Sequence, residues 1–414
     1  MSAELKKRIQ DLSSLYLEEI IITRRHLHAN PELSFEEYNT SKFIASKLKE
    51  FGIPFRDNVV KTGIVALLSG TKKSSSGHVI ALRADIDALP IEEKNEIDYK
   101  SKNVGVMHAC GHDVHTSALL GAAKILNDLK DEFSGTIKLL FQPGEEKAPG
   151  GASLMIKEGV LDNPKPSAIY AQHVFPSLEA GKVGFRGGKY MASTDEIYFT
   201  IKGKGGHAAM QGTYLNPLII ASKILVELES KFLGNNLLSL QQLKGVTENI
   251  PTVLAFGKII GNGATNVIPD EVHIEGTFRT MNETWRQAAH AIIRDTALSL
   301  AKQSGGDCEV NIVPGYPVLI NNEKVTSDAI QYAKDYLGKE NVIDLDLRMT
   351  GEDFAFFAEK IPACFYRLGT GNADKGITAG VHTPTFNIDE FSLQTGMGLL
   401  AWMAIQSLEN SNNK

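Results

Sequence analysis

Short apolar runs alternate with amphipathic stretches through the first half of the chain. The runs have the length of strands, and the stretches between them place apolar residues at helical spacing. The predicted elements are strands at 64–68, 79–84, 136–141 and 168–172 and helices at 117–129 and 152–159. Strands that alternate with helices in this way are typical of crossover units around a mostly parallel sheet.

The segment Ser34-Phe35-Glu36-Glu37 matches the capping-box pattern that begins a helix. The helix predicted from it runs to about Glu50 and is closed by Gly52. The apolar side chains of this helix that are expected to face the core are Phe35, Tyr38, Phe43, Ile44 and Leu48.

The rhythm changes after about Gly188. The next segment contains strands at 196–201, 253–260 and 272–278 and helices at 216–229 and 284–303. This order predicts a compact α+β sandwich, ferredoxin-like, inserted at residues 189–305. The first rhythm then resumes with strands at 308–313 and 364–368 and helices at 324–337, 352–360 and 390–408. The predicted fold class is α/β: a mostly parallel sheet flanked by helices, formed by residues 1–188 and 306–414, with the inserted domain between them.

Composition and charge are those of an ordinary globular protein. The chain has 414 residues, of which 43% are hydrophobic and 22% charged, and a net charge of -6. This balance gives no reason to expect nucleic acid or a membrane surface as a partner, so a small-molecule substrate is expected. Three cysteines in so long a chain argue against a disulfide framework. With a charged N-terminus and no apolar run of membrane-spanning length, the expected location is the cytoplasm.

Residues 108–115 concentrate five side chains that can bind a metal or relay a proton. Cys110 and His112 are expected on a loop before the next helix, where both can point at one ion. Thiolate, imidazole and carboxylate ligands suit zinc, with manganese or cobalt also possible. His108, Asp113 and His115 are expected to be hydrogen-bond partners of the ligands or helix caps.

Two adjacent carboxylates, Glu145 and Glu146, follow a buried-looking strand and a Pro-Gly turn. Neighbouring residues at a strand exit point in different directions, so one of them suits a metal ligand and the other a general base. A solvated surface pair is the alternative, but open α/β sheets place their sites at the carboxyl ends of strands. His173 and His382 could supply further ligands from other strand ends.

The glycine-rich segment 202–208 matches a dinucleotide-binding pattern formally, but no helix opens from its glycines, so this interpretation is rejected. The glycines instead present His207, which could donate a hydrogen bond to an oxyanion; an idle histidine in a turn is the alternative. Arg279 suits a substrate carboxylate, although a surface arginine is also compatible, and Asn266 is a second candidate for substrate binding. Asp85 and Asp87 close the strand at 79–84 and could orient a metal ligand or cap a turn.

With these residues in place, the chain resembles the aminoacylase and carboxypeptidase family of dinuclear-metal hydrolases, in its amidohydrolase branch. That branch includes hippurate hydrolase, plant auxin-conjugate hydrolases and bacterial N-acyl-amino-acid deacylases. The segments that carry the resemblance are Arg24 to His28, Pro31 to Leu33, Leu82 to Pro90, Met107 to Asp113, Gln142 to Glu146, Gly205 to His207, Gly351 to Phe354 and His382 to Pro384.

The resemblance implies a zinc-exopeptidase-like catalytic domain with an inserted lid and dimerisation domain. It implies two divalent ions, Zn²⁺ or Mn²⁺ with Co²⁺ or Ni²⁺ as alternatives, and a homodimer or higher homo-oligomer in which His207 reaches the partner's site. Glu145 falls on the general base, and the residues that fall on metal ligands are Cys110, His112, Glu146, His173 and His382. Asp85 and Asp113 are assigned to orienting those ligands. The wider family has His-x-Asp where this chain has Arg83-Ala84-Asp85, and an aspartate where it has Cys110.

The resulting hypothesis is a hydrolase of N-acyl-L-amino acids, including N-acetyl and N-benzoyl conjugates, that uses a metal-bound water with Glu145 as its base. A dipeptidase or aminocarboxypeptidase with the same chemistry is the nearest alternative. A binding protein with a structural metal is the alternative of another class. Structural zinc sites are closed by four ligands, whereas five candidate ligands and Glu145 imply a site with a position open to water.

Overall fold

The computed structural model describes residues 3–72, 77–246 and 248–412. The helices α1 to α10 are, in chain order, Ala3–Ala29, Tyr38–Glu50, His112–Asp128, Gly151–Lys157, Pro217–Lys231, Gly234–Leu243, Glu283–Gln303, Glu323–Leu337, Ala355–Ala358 and Ser392–Asn412. The strands β1 to β16 are Phe55–Val59, Gly63–Ser69, Val79–Asp85, Thr136–Gln142, Ala168–Glu179, Val183–Phe185, Gly188–Met191, Ser193–Lys202, Gly206–His207, Thr252–Ile260, Val267–Ile268, Glu271–Thr280, Asp307–Pro314, Leu319–Asn321, Val342–Asp344 and Ala363–Gly371. Within these ranges, no helix combines the length and the apolarity that crossing a membrane requires.

The chain forms two compact units. The first consists of Met1–Gly188, Ile320–Asp346 and Asp353–Lys414, and the second of Lys189–Leu319 and Leu347–Glu352. The sequence analysis returned the chain to the first part at residue 306, and this boundary is wrong. Strand β13 pairs along its length with β8 of the second unit. An isolated strand pattern does not indicate which sheet the strand joins, so the error could not be detected from the pattern.

The first unit is built on an eight-stranded sheet in the order β1-β2-β4-β3-β5-β16-β6-β15. Its four central strands, from β4 to β16, run parallel, and β1, β2 and β6 introduce antiparallel pairs. Every residue of β3 and β16 is buried. Strands buried on both faces are typical of the centre of an α/β sheet covered by helices, which is the predicted class.

Helices α1, α3 and α10 pack on one another in this unit. A glycine allows α3 and α10 to come close, because a Cβ atom at Gly121 would lie 2.6 Å from the Met397 sulfur. Between α1 and α3 lies a fully buried ion pair, in which Arg24 Nε donates to Asp113 Oδ2 at 2.7 Å. The same carboxylate oxygen lies 2.8 Å from His28 Nδ1.

Two predicted helix starts were wrong. Helix α3 begins at His112, not at 117, because Gly111 adopts a left-handed conformation (φ 81°) that turns the chain directly into the helix. Helix α2 begins at Tyr38, and no capping box forms at residues 34–37. Tyr38, which was expected in the core, is 46% exposed.

The second unit contains a four-stranded antiparallel sheet in the order β10-β12-β8-β13. Buried positions alternate along β8, so one of its faces is turned to a core. Helices α5 and α7 pack against each other and against this sheet. The unit is therefore an α+β sandwich, and it contains one helix, α6, that the sequence analysis did not predict.

We expect Asp113→Asn to lower the free energy of unfolding by about 3 kcal/mol, because it leaves the buried Arg24 guanidinium without its nearest counter-charge. Urea unfolding monitored by circular dichroism measures the change. The matched control is Asp11→Asn, which removes an exposed ion pair with Lys7 and should change the stability by less than about 0.5 kcal/mol. Equal stabilities of the two variants would contradict the prediction.

Candidate metal centre

The side chains of the five predicted metal ligands converge in the first unit. The Cys110 sulfur lies 3.4 Å from His173 Nε2 and 3.3 Å from His382 Nε2. Glu146 Oε1 lies 3.3 Å from His382 Nε2 and 3.8 Å from His112 Nε2. Four separate segments of the chain supply these groups: the start of α3, the turn after β4, strand β5 and the loop after β16.

Cys110 belongs to two overlapping groups of donor atoms. The ligand atoms of Cys110, His112 and His173 lie within 4.8 Å of one another, and so do those of Cys110, Glu146 and His382. A tetrahedral ion with nitrogen and sulfur ligands at their usual bond lengths separates the two atoms by about 3.6 Å. The observed separations therefore suit ligands of a common ion, and the sulfur is the atom that the two groups share.

The unpaired atoms of the site also fit a metal. His112 Nε2 and Glu146 Oε1 are buried and have no hydrogen-bond partner among the described residues. Buried polar atoms are normally paired, so two buried atoms without a hydrogen bond, 3.8 Å apart, fit a pair of metal ligands. The Nδ1 atoms are occupied: that of His112 lies 3.1 Å from Asp87 Oδ1, and that of His173 lies 2.8 Å from the Val174 carbonyl oxygen. Such contacts fix the tautomer that leaves Nε2 available as a ligand.

Burial and neighbouring charges control protonation in the absence of metal. Burial lowers the pKa of His112, but the carboxylates of Asp85, Asp87 and Glu146 outweigh it and raise the pKa to about 10. Burial, and then the charges of Glu146 and Glu145, raise the pKa of the Cys110 thiol well above its ordinary value. The metal-free protein therefore carries protons on both groups at neutral pH.

Asp85 and His115 form a fixed pair beside the ligands. The Asp85 carboxylate contacts His115 Nδ1 at 2.5 Å, accepts from Arg83 Nη1 at 2.7 Å and lies 3.7 Å from His112 Nε2. His115 Nε2 accepts a hydrogen bond from the Val174 backbone N–H at 2.9 Å. Both ring nitrogens of His115 are thus engaged, which suits a structural partner rather than a ligand.

Asp113 lies apart from the ligand atoms. Its described hydrogen bonds join it to Arg24 and His28 rather than to a predicted ligand. The carboxylate that contacts the predicted ligand His112 at Nδ1 is that of Asp87, which the sequence analysis named as a possible orienting residue without assigning it that role. The sequence signal was available, because Asp87 follows the same strand as Asp85 at the spacing that puts both on one face.

Glu145 is buried at the edge of the site, 6% exposed. A further group of possible ligand atoms consists of this carboxylate, the Glu146 carboxylate and the His112 imidazole. These atoms lie within 4.8 Å of one another. The Asp353 backbone N–H donates to Glu145 Oε1 at 3.4 Å. The Asp353 carboxylate in turn accepts from Arg83 Nη2 at 3.0 Å and from Gln142 Nε2 at 2.8 Å. This support for Glu145 was not predicted, because its members are remote in sequence.

His382 combines exposure with an unusual backbone. Its side chain is 52% exposed, while the other predicted histidine ligands are buried. Its φ of 61° lies in the left-handed region, which costs a non-glycine residue about 1 kcal/mol or more and is common at functional sites. The site is therefore reached from solvent at His382.

The remaining predicted residues lie in the second unit. His207 is exposed and sits on β9, which pairs with β11, and the backbone of Asn266 accepts a hydrogen bond from Ala208 N at 3.0 Å. His207 and Asn266 are thus neighbours. Arg279 is the penultimate residue of β12 and donates to the Met349 carbonyl oxygen at 3.2 Å, and burial lowers its pKa.

Residues 81–406 match the model of Peptidase family M20/M25/M40. The chain belongs to this family. N-acetyl-L-cysteine deacetylase of Bacillus subtilis is 41% identical over 376 residues, which cover 91% of this chain and 85% of the relative. IAA-amino acid hydrolase ILR1-like 5 of Arabidopsis thaliana is 36% identical over 399 residues, with coverages of 94% and 87%.

Among solved structures, the YXEP protein of Bacillus subtilis is described as a dinuclear metal binding peptidase from M20 family. It is 34% identical to this chain and superposes with a TM-score of 0.80. The match covers 96% of this chain and 99% of the YXEP chain. The resemblance inferred from the motifs, the fold class and the prediction of a hydrolase acting on amide bonds are confirmed. This M20 enzyme is a metal-dependent amide hydrolase with candidate ligand groups for its ions.

We expect the affinity for a divalent cation to rise with pH between pH 6 and 9. His112, with its pKa raised to about 10, and the Cys110 thiol must each lose a proton to become ligands. Titration of chelator-treated protein with Mn²⁺, in buffers of different ionisation enthalpy, should report release of about two protons. Cys110→Ser should reduce this number by about one, since a serine hydroxyl keeps its proton. Binding without proton release would refute the assignment of both ligands.

Proposed function

We propose that this enzyme hydrolyses the amide bond of N-acyl-L-amino acids, such as N-acetyl and N-benzoyl conjugates. The proposal assigns two divalent cations to Cys110, His112, Glu146, His173 and His382, with Zn²⁺ or Mn²⁺ as the first candidates. It is carried by one observation, the position of the Cys110 sulfur in two groups of donor atoms beside the Glu145 carboxylate. The names of the amide-hydrolysing relatives support the substrate class.

Glu145 is the proposed general base. When bound, the cations would supply Lewis-acid polarisation of the attacking water and of the scissile carbonyl. Glu145 takes a proton from that water and delivers it to the leaving amine. The hydrogen bond from Asp353 N holds the Glu145 carboxylate in place, and its burial limits competing contacts with bulk water.

Second-unit residues are proposed to bind the substrate. His207 is assigned to donate a hydrogen bond to the oxyanion that develops on the carbonyl oxygen. Arg279 and Asn266 are assigned to the substrate carboxylate and its neighbouring polar groups, for which a guanidinium fork is well suited. In this proposal the enzyme is a cytoplasmic homodimer, the lid and dimerisation role belongs to the second unit, and His207 acts in the partner's site.

A peptidase is the second candidate, because the YXEP protein is described as one. The chemistry is the same, and the substrates differ in whether a free amino group stands next to the scissile amide. The deciding assay compares N-acetyl-amino acids, N-benzoylglycine and dipeptides with one preparation loaded with Mn²⁺ or Zn²⁺. A higher kcat/KM for dipeptides than for any N-acyl-amino acid would replace the proposal by the peptidase.

We expect Glu145→Gln to retain the bound metal and lose about 10³-fold or more in kcat, because the amide cannot take the proton from water. Metal content is measured by plasma mass spectrometry and turnover by release of the free amine. Asp344→Asn, which neutralises an acid on the sheet-edge strand β15, is the control and should leave kcat unchanged. Substantial turnover by Glu145→Gln would refute the assignment of the base.

We expect His207→Ala to reduce kcat about a hundredfold or more, since one oxyanion donor is worth about 3 kcal/mol. Mixing this variant with Glu145→Gln, by co-expression, tests whether His207 acts across subunits. Mixed dimers then contain one complete site, and roughly a quarter of the wild-type activity should return. No recovery from two variants that are each inactive and stably folded would contradict action in the partner's site.

A further inference from the structure

Glu37 is a buried carboxylate that the proposed chemistry does not use. It is 0% exposed and lies immediately before α2, yet it caps nothing there. Its Oε1 accepts hydrogen bonds from Gly144 N at 2.8 Å and Phe35 N at 2.9 Å. Its Oε2 accepts from the Thr62 hydroxyl at 2.6 Å. The carboxylate therefore joins the start of α2 to the turn that carries Glu145 and Glu146.

Phe35 and Glu37 both pack closely against Gly144 in this turn. Gly144 adopts a φ of 61°, and a Cβ atom there would lie 2.4 Å from the Phe35 ring. Phe35 itself has a φ of 66°, unusual for an aromatic residue, and its N–H is held by Glu37. The ring thus covers Gly144 while the carboxylate holds its amide, and the turn is fixed from two directions.

A second buried carboxylate, that of Asp87, binds the backbone amide of Glu146. Glu146 N donates to Asp87 Oδ2 at 3.0 Å, and the Ser34 hydroxyl donates to the same oxygen at 2.6 Å. The amides of residues 144 and 146, one on each side of Glu145, are therefore bound by separate buried carboxylates. The segment 34–37 contributes to both, through Ser34 at Asp87 and through Glu37 at Gly144.

Packing alone does not explain a carboxylate at position 37. Burial, and then the charge of Asp87, raise the pKa of Glu37 to about 7. A charge brought close to other acids in a buried site is costly, and an apolar side chain of similar volume would fill the space at lower cost. What the apolar side chain lacks is an acceptor for the Gly144 and Phe35 amides.

We infer that Glu37 is a positioning residue for amide hydrolysis, whose carboxylate holds the Gly144 amide and so aims the side chains of Glu145 and Glu146. The inference rests on the proposed function for its catalytic consequence, and on the contacts above for its structural one. Glu37 acts through the turn at residues 143–146 and touches neither substrate nor metal.

Two substitutions separate the acceptor from the charge. In Glu37→Gln, the amide oxygen can still accept from Gly144 N and Phe35 N, and the amide nitrogen can donate to Thr62 Oγ1. We expect kcat within roughly threefold of wild type. Glu37→Met keeps a similar volume and removes the acceptor. We expect its kcat to fall about a hundredfold, as for a small misplacement of a catalytic group, with KM within roughly threefold.

The matched control is Glu32→Met. The Glu32 carboxylate also accepts backbone amides at the start of α2, from Asn39 and Thr40, and none of its hydrogen bonds in the described part of the chain reaches the turn at residues 143–146. We expect this variant to lose thermal stability comparably to Glu37→Met and to keep the wild-type kcat. A loss of kcat in both variants, in proportion to their loss of stability, would overturn the inference.

Two measurements do not depend on turnover. Hydrogen exchange of a peptide covering residues 141–147 should be faster in Glu37→Met than in wild type, and unchanged in Glu37→Gln and Glu32→Met. The affinity of the metal-free protein for Mn²⁺ should be about tenfold weaker in Glu37→Met alone, because the turn that carries Glu146 is no longer held at Gly144. If the wild type hydrolysed neither N-acyl-amino acids nor dipeptides, the proposed function would fail and these readouts would still decide the role of Glu37. Unchanged exchange and unchanged affinity in Glu37→Met, or a kcat for Glu37→Gln as low as for Glu37→Met, would overturn it.

Discussion

The chemistry of the site follows from the electrostatic repulsion between carboxylates that the fold buries close together. Asp85, Asp87, Glu145 and Glu146 are all close to His112, in a region where solvent screens their charges poorly. Positive charge must therefore be present. Arg83 supplies part of it, and in the absence of ions a protonated His112 supplies more. Divalent cations are the natural replacement for that proton, so a cluster of acids that is unfavourable alone suits the binding of such cations.

The groups that hold this cluster come from segments distant in sequence. Asp87 fixes the ring of His112, and Asp353 fixes the carboxylate of Glu145 through its backbone. Asp353 is itself held by Arg83 and Gln142 at the ends of adjacent strands. The parallel strands β3 and β4 thus end in a shared network, which ties the turn that carries Glu145 to the centre of the sheet.

Local pattern was sufficient for much of this structure. Strand runs such as 79–84 and the residue types around Cys110 and Glu145 were predictable, because buried strands and metal ligands leave compositional signals. The prediction of a capping box was wrong, although Ser34 and Glu37 are the required residue types. The Ser34 hydroxyl donates to Asp87 instead, and the Glu37 carboxylate accepts from the Gly144 amide. The boundary at residue 306 failed because strand pairing is a long-range property. The contact of Asp353 with Glu145 and that of Glu37 with Gly144 each span more than 100 residues, and no local pattern encodes them.

The raised pKa of Cys110 bears on how the protein withstands oxidants before its ions arrive. A thiol reacts with peroxide and with disulfides through its thiolate, and burial among carboxylates suppresses that form. In the metal-free protein the Cys110 sulfur is therefore a protonated thiol, which reacts slowly, rather than a reactive thiolate. Burial among carboxylates therefore makes this position less prone to oxidation in the absence of metal than an exposed cysteine with a lowered pKa would be.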